Sequence, residues 1–134
     1  MASYIYGLAR QKFLDGDIDW SGHDIQAMLV DGADYTAVQN THEFHDDIAG
    51  GAIVATSGNF ASKTSTLGTA DAADVTWSSV TGDPCEMIVI MRWTGSSATS
   101  PLIAKIDDYT GLSPVTPNGG NITVSWPAGG IFVL

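Results

Sequence analysis

Cysteine is almost absent from this chain: Cys85 stands alone among 134 residues. A lone cysteine can form no internal disulfide and excludes a cysteine-built zinc cage. Opening the apolar run 85–89, it reads as a small core hydrophobe. Basic residues are scarce as well, with 5 Lys+Arg against 15 Asp+Glu and a formal net charge of −10. Such a field repels phosphate backbones and anionic bilayers, so neither nucleic acid nor membrane is expected as a partner. No apolar run approaches the roughly 18 residues of a membrane helix, and no basic-then-apolar leader opens the chain. A chain made and folded in a cytosol is expected, its acidity spread over a solvated face. Nucleophile elbows and phosphate-cradling loops are missing too: Gly119-Gly120 and Gly129-Gly130 lack the strand, helix and lysine such loops need. Together these absences predict a protein that is not an enzyme, with no catalytic residues, no cofactor and no metal site.

What is present is a foldable balance, 44% hydrophobic and 15% charged residues, which argues against disorder. A single domain, 1–134, should bury roughly two thirds of the surface its unfolded chain exposes. Over residues 3–14, Ile5, Leu8, Ala9 and Phe13 recur at three- and four-residue spacing, predicting a short helix that ends near Gly16. Roughly three turns are marginal alone. The segment 1–16 must therefore dock, on its own domain or on another chain.

After that the period falls to two. Ile25, Ala27 and Leu29 alternate with Gln26, Met28 and Val30, and residues 52–60 and 74–79 share the β-type composition. In 85–93 both the Cys85, Met87, Val89, Met91, Trp93 row and the Ile88, Ile90 row are apolar, which predicts a central strand buried on both faces. Residues 101–107 and 121–126 alternate as half-buried strands do, and Ile131, Phe132, Val133 and Leu134 form an apolar ending that is costly to leave in water. Turn-rich clusters at 50–51, 68–74, 81–84, 95–100 and 111–120 separate these runs. The fold expected is mainly β, an antiparallel sandwich or barrel of about seven to eight strands with a short N-terminal helix. Residues 41–48, with Thr41 as cap, predict a short helix or turn that interrupts the β pattern.

Several constellations could carry chemistry. His42 and His45 would share a face of a helical turn and could hold a metal, although polar-loop histidines are more often simply exposed. Asp15, Asp17 and Asp19 alternate like the opening of a calcium loop, but Trp20 stands where glycine is needed and Gln26 where a bidentate glutamate should close it. The acidic pairs Asp46-Asp47, Asp71 with Asp74, and Asp107-Asp108 border strands and turns, where aspartate bonds the local backbone more often than it hydrolyses sugars. Of the four tryptophans, Trp77, Trp93 and Trp126 fall on inward-facing rows, and Trp20 lies among polar residues as a candidate interface anchor. The expected partner contacts are Tyr4, Ile5, Tyr6 and Phe13 from the first segment, Trp20, and Ile131 and Phe132 from the last.

Taken in order, YGLARQKFLDGDIDW, IQAMLVDGADY, HEFHDDI, AIVATSGNFASKT, ADAADVTW and VTPNGGNITVSW resemble short virion structural proteins of tailed bacteriophages, across nearly the whole chain. The resemblance implies a capsid decoration or cement protein, a small β domain on the outside of the head that bridges subunits of the major capsid protein. No functional residue transfers with it. An acidic, stiff β module suits the outer surface better than the DNA-facing one, and a dimer or trimer would match the local symmetry axes of a shell. A tail or fibre component with a carbohydrate-binding tip built on Trp20 is the alternative reading, and a small hydrolase using one acidic pair is a third.

Overall fold

Two apolar rows on one segment demand cover on both sides, and the computed structural model, which describes residues 3–107 and 115–134, sets that segment in the middle of a sheet. In chain order the strands are β1 Tyr4–Ile5, β2 Ile25–Val30, β3 Ile53–Thr56, β4 Thr69–Ala70, β5 Val75–Trp77, β6 Met87–Arg92, β7 Leu102–Ile106, β8 Ile122–Val124 and β9 Phe132–Val133, with helix α1 Gly7–Leu14 after β1. The main sheet runs β1-β7-β6-β2-β3, and every pairing in it is antiparallel. The other strands form two ribbons, β4 with β9 and β5 with β8. The fold is therefore mainly β, as the alternation predicts. Among the described residues no barrel closes, because β1 and β3 end the sheet at opposite edges and do not pair with each other.

Register explains the packing. Ala27 on β2 faces Ile90 on β6, which faces Ala104 on β7, which faces Ile5 on β1. Small and large side chains thus alternate along one face, so Ile90 has room between two alanines and Ile5 lies beside Ala104 at the edge. On the opposite face Met28, Val89, Lys105 and Tyr4 lie in line. From Met87 to Met91 every residue of β6 is buried, which is the doubly covered strand expected from its two apolar rows. Trp77 ties the β5–β8 ribbon to the sheet by donating its indole N–H to the Ala27 carbonyl at 3.2 Å.

Some expectations need correction. The helix starts at Gly7 and not at residue 3, because Tyr4 and Ile5 pair with β7 as an edge strand and the Tyr6 N–H continues to the Ile103 carbonyl at 2.9 Å. A sheet edge satisfies those backbone groups where a helical first turn would leave them open. Its far end agrees with the sequence: Gly16, at φ 81°, reverses the chain while the Asp17 N–H bonds the Lys12 carbonyl at 2.8 Å. Residues 41–48, by contrast, carry the turn the sequence suggests, a 3-10 turn over His45–Asp47. Trp93, expected inside, is half-buried against the edge of His45.

Residues 102–107 are buried throughout, not half-buried as their alternation suggests. Asp107 follows directly on β7, two residues after Lys105 and on the same side, and the Lys105 Nζ meets Asp107 Oδ2 at 2.8 Å. The ammonium also sits 4.5 Å above the Tyr4 ring. Ser3 completes the corner by accepting the Asp107 N–H at 3.1 Å. Of the acidic pair at 107–108, Asp108 lies outside the described residues.

A buried pair of this kind is expensive to break from one side. Lys105→Met should destabilise the fold by about 3–5 kcal/mol, because Asp107 keeps an unpaired buried charge. Adding Asp107→Asn should restore most of that loss, and urea midpoints of the two single variants and the double variant, arranged as a cycle, check it.

Candidate functional site

Four of the acidic side chains singled out in the sequence, Asp19, Asp47, Asp71 and Asp74, accept backbone N–H groups. Asp47 Oδ2 accepts the N–H groups of Glu43 at 2.7 Å and Phe44 at 3.1 Å, and those bonds hold its carboxyl below the usual range. Asp71 Oδ1 takes the Ala72 N–H and Asp74 Oδ1 the Trp126 N–H. Asp19 Oδ1 accepts from Ser21 and Gly22, an Asx turn in the exposed stretch that also carries Asp15 and Asp17. Asp19, Asp47 and Asp71 serve backbone within four residues, in keeping with aspartate at turns, whereas Asp74 reaches across 52 positions to Trp126.

The histidines go separate ways. His42 ends a relay of side chains, with Tyr6 Oη to Tyr35 Oη and Tyr35 Oη to His42 Nδ1 each 2.9 Å. Burial drives the Tyr6 phenol upward and pushes Tyr35 up to about 12, so both rings stay protonated and pin the 35–42 loop beside β1 and α1. His45 packs on Trp93, and its buried Nδ1 finds no partner among the described residues. His23 accepts the Asp19 N–H at 2.9 Å. Cys85 is fully buried and bridges to Val115, and burial, reinforced by Glu86, Asp31 and Asp83, pushes its thiol up to about 11. It sits as a core residue.

One carboxylate cluster was not foreseen. Asp31, Asp34 and Asp83 bring ligand oxygens within 4.8 Å of one another, with Asp31 buried and the other two exposed. Asp31 Oδ1 also accepts the Ala33 N–H at 2.8 Å. Such a set could contribute to a site for a hard divalent cation, which favours several carboxylate oxygens. Asp31 and Asp34 flank one turn, but Asp83 arrives from a distant loop, so no sequence spacing announces the trio.

The expected partner contacts divide sharply. Ile5, Tyr6 and Trp20 are taken into the core at 4%, 0% and 5% exposure, and so offer no projecting surface. Ile5 and Tyr6 are consumed by the β1–β7 edge and the tyrosine relay. Trp20 donates its indole N–H to the Asp71 carbonyl and packs edge-on to Phe60 and Phe132 at 6.0 and 5.3 Å. Tyr4, Phe13, Ile131 and Phe132 are half-buried.

Around that aromatic stack lies a groove of about 200 Å³ between the end of α1 and the β4–β9 ribbon. Trp20 and Ile18 reach its floor, Phe13 and Phe132 form walls, and Leu134 and Asp19 also line it. The turn that leads into β9 needs glycine: Gly130 has φ 98°, and a Cβ there would collide with the Thr69 side chain and lie 3.1 Å from the Ala70 carbonyl oxygen. Leu134, which lines the groove, is 54% exposed, and Leu14, Leu67 and Val133, each next in the chain to a lining residue, are exposed at 86%, 97% and 63%. Leu67 falls between the groove-lining Ser65 and Gly68 and is held at φ 53°. A left-handed conformation costs a branched residue on the order of 1 kcal/mol, and full exposure returns nothing by burial. The only hint in the sequence is a leucine stranded in the polar run Ser65-Thr66-Leu67-Gly68.

The chain matches no known protein-family model and no curated protein. Among the described residues, no helix is long and apolar enough to cross a membrane.

Burial holds the His45 imidazole below its ordinary value of 6.5, opposed by Asp46. A folded pKa below the unfolded one means stability present in full above about pH 6.5 and lost as pH falls through the folded value. Urea midpoints at pH 7.5 and 5.5 should therefore drop more for the natural chain than for His45→Asn. In the aspartate trio, Asp34→Asn removes a like charge. It should raise the melting temperature by about 1–2 °C at low ionic strength, a gain that shrinks in high salt.

Proposed function

We propose that this chain is a non-enzymatic virion structural protein that binds the outer surface of a tailed-phage capsid and stabilises the shell as a decoration or cement protein. The observation that carries the reading is Leu67, a strained leucine almost wholly in water beside an apolar groove. A residue that burdens its own fold and gains almost no burial from it is explained by a surface that another molecule covers. The ordered resemblance to virion proteins supplies the class of that molecule, the major capsid protein.

The energetic role follows from linkage. Each copy that binds only the assembled lattice favours the assembled shell by its free energy of binding, and many copies resist opening together. A rigid, antiparallel body suits this task, because little ordering entropy is lost on docking. Assembly as dimers or trimers about the shell's symmetry axes belongs to the same proposal. The fibre-tip reading relied on Trp20 as an open sugar platform, and a tryptophan with 5% exposure is poorly placed for stacking.

Electron microscopy of particles from the phage that encodes the chain should show its density on the outside of the head, repeating with the capsid lattice. Heating such particles with and without the protein should release DNA at a lower temperature when it is missing. Density on the tail, or equal heat release in both cases, would refute the proposal.

A further inference from the structure

We infer that the groove beside Leu67 receives a large apolar side chain from a lysine- or arginine-flanked segment of the shell protein, an assignment that rests on the capsid-binding reading above. Size comes first. At about 200 Å³ the groove falls below the roughly 300–1,000 Å³ typical of small-molecule pockets. One aromatic or long aliphatic side chain fits it, as a single anchor fits a hot-spot pocket.

Chemistry comes next. Its lining is largely apolar, through Trp20, Ile18, Phe13 and Phe132, and Leu67 stands exposed in the turn between the lining residues Ser65 and Gly68. The rim is acidic. Asp15, Asp17 and Asp19 are exposed on the loop that follows α1, and Asp19 itself lines the groove. Among the described residues, the ion pairs are Lys12 with Glu43 and Lys105 with Asp107, so none of these three carboxylates is in one. The neighbouring cations bind carbonyls: Arg92 reaches the Asp17 carbonyl oxygen at 2.6 Å, and Lys63 is held by the His23 carbonyl and Asn59. Lys63 lies close enough to feel the Asp19 charge, yet the loop with three exposed carboxylates stays net acidic in a chain of formal charge −10. An apolar slot in that setting is complementary to an apolar anchor with basic neighbours.

The same charge argues against a second copy of this chain as the occupant. Two bodies of formal charge −10 repel, and each would bring more carboxylates to an already acidic rim. A basic surface on the shell is attracted instead, and steering of that kind weakens with salt.

Leu67→Gly makes a clean probe, since glycine accepts a positive φ without strain and the variant should melt no lower than the natural chain. A second variant, Asp15→Asn with Asp17→Asn and Asp19→Asn, removes the rim charge, while the amide oxygen introduced at position 19 can still accept the turn's N–H groups. The assay is co-sedimentation with purified shells of the encoding phage that lack the protein, at about 50 and 500 mM salt, where a charge-steered contact should differ most. The natural chain should bind, more weakly at high salt. Leu67→Gly should bind at least about tenfold more weakly at both salts, the loss expected of a hot-spot side chain, and the triple variant should lose affinity mainly at low salt. Binding by both variants equal to the natural chain overturns the groove assignment and leaves the capsid reading standing. No binding by the natural chain overturns the capsid reading itself. Sedimentation equilibrium supplies the remaining outcome: a dimer of the natural chain that Leu67→Gly dissociates would give the groove to a second copy and overturn the basic-partner assignment.

Discussion

Burial of β6 on both faces is the constraint on which the rest of the structure depends. A strand whose two rows are both apolar must lie inside a sheet, and β2 and β7 are the neighbours that put it there. Once it is central, the sheet needs cover on each side. Helix α1 packs against β7, and the β5–β8 ribbon is fastened to Ala27 through Trp77. The short strands β4 and β9 are too brief to stand alone, and they are held by the aromatic stack of Phe13, Phe132, Trp20 and Phe60.

That arrangement also governs where polar groups can go. Lysine on a doubly covered strand must bring its own counter-ion, and Lys105 does so with Asp107 on the same face. Tyrosines drawn inside by β1 and the 35–42 loop satisfy each other and end on His42. Aspartates cluster in the turns, where several of them hold backbone N–H groups. The acidity of the chain is thus partly a by-product of a fold made from short strands and many turns, and at the rim of the groove it coincides with exposed apolar surface.

The surface features worth most attention are those that the fold itself does not use. Leu67 and Leu14 contribute almost nothing to the core, whereas a domain with this sheet could have placed polar residues at both positions. Apolar groups left in water next to a shallow slot mark the kind of surface that forms its full set of contacts only with a partner.

Alternation and spacing by themselves determined the β class, the approximate positions of β2, β6, β7 and β8, the helix end at Gly16 and the preference of aspartate for turns. All of these are short-range: a period of two or of three to four residues, or a side chain that bonds the next few N–H groups. Only the tertiary structure decided that Ile5, Tyr6 and Trp20 face inward, that Lys105 and Asp107 are buried as a pair, that Asp83 joins Asp31 and Asp34, and that Leu67 stands exposed beside a groove. Periodicity tells which side chains share a face, but not which face meets another element. That choice is made by contacts between residues tens of positions apart, where burial of the whole sheet outweighs any local preference.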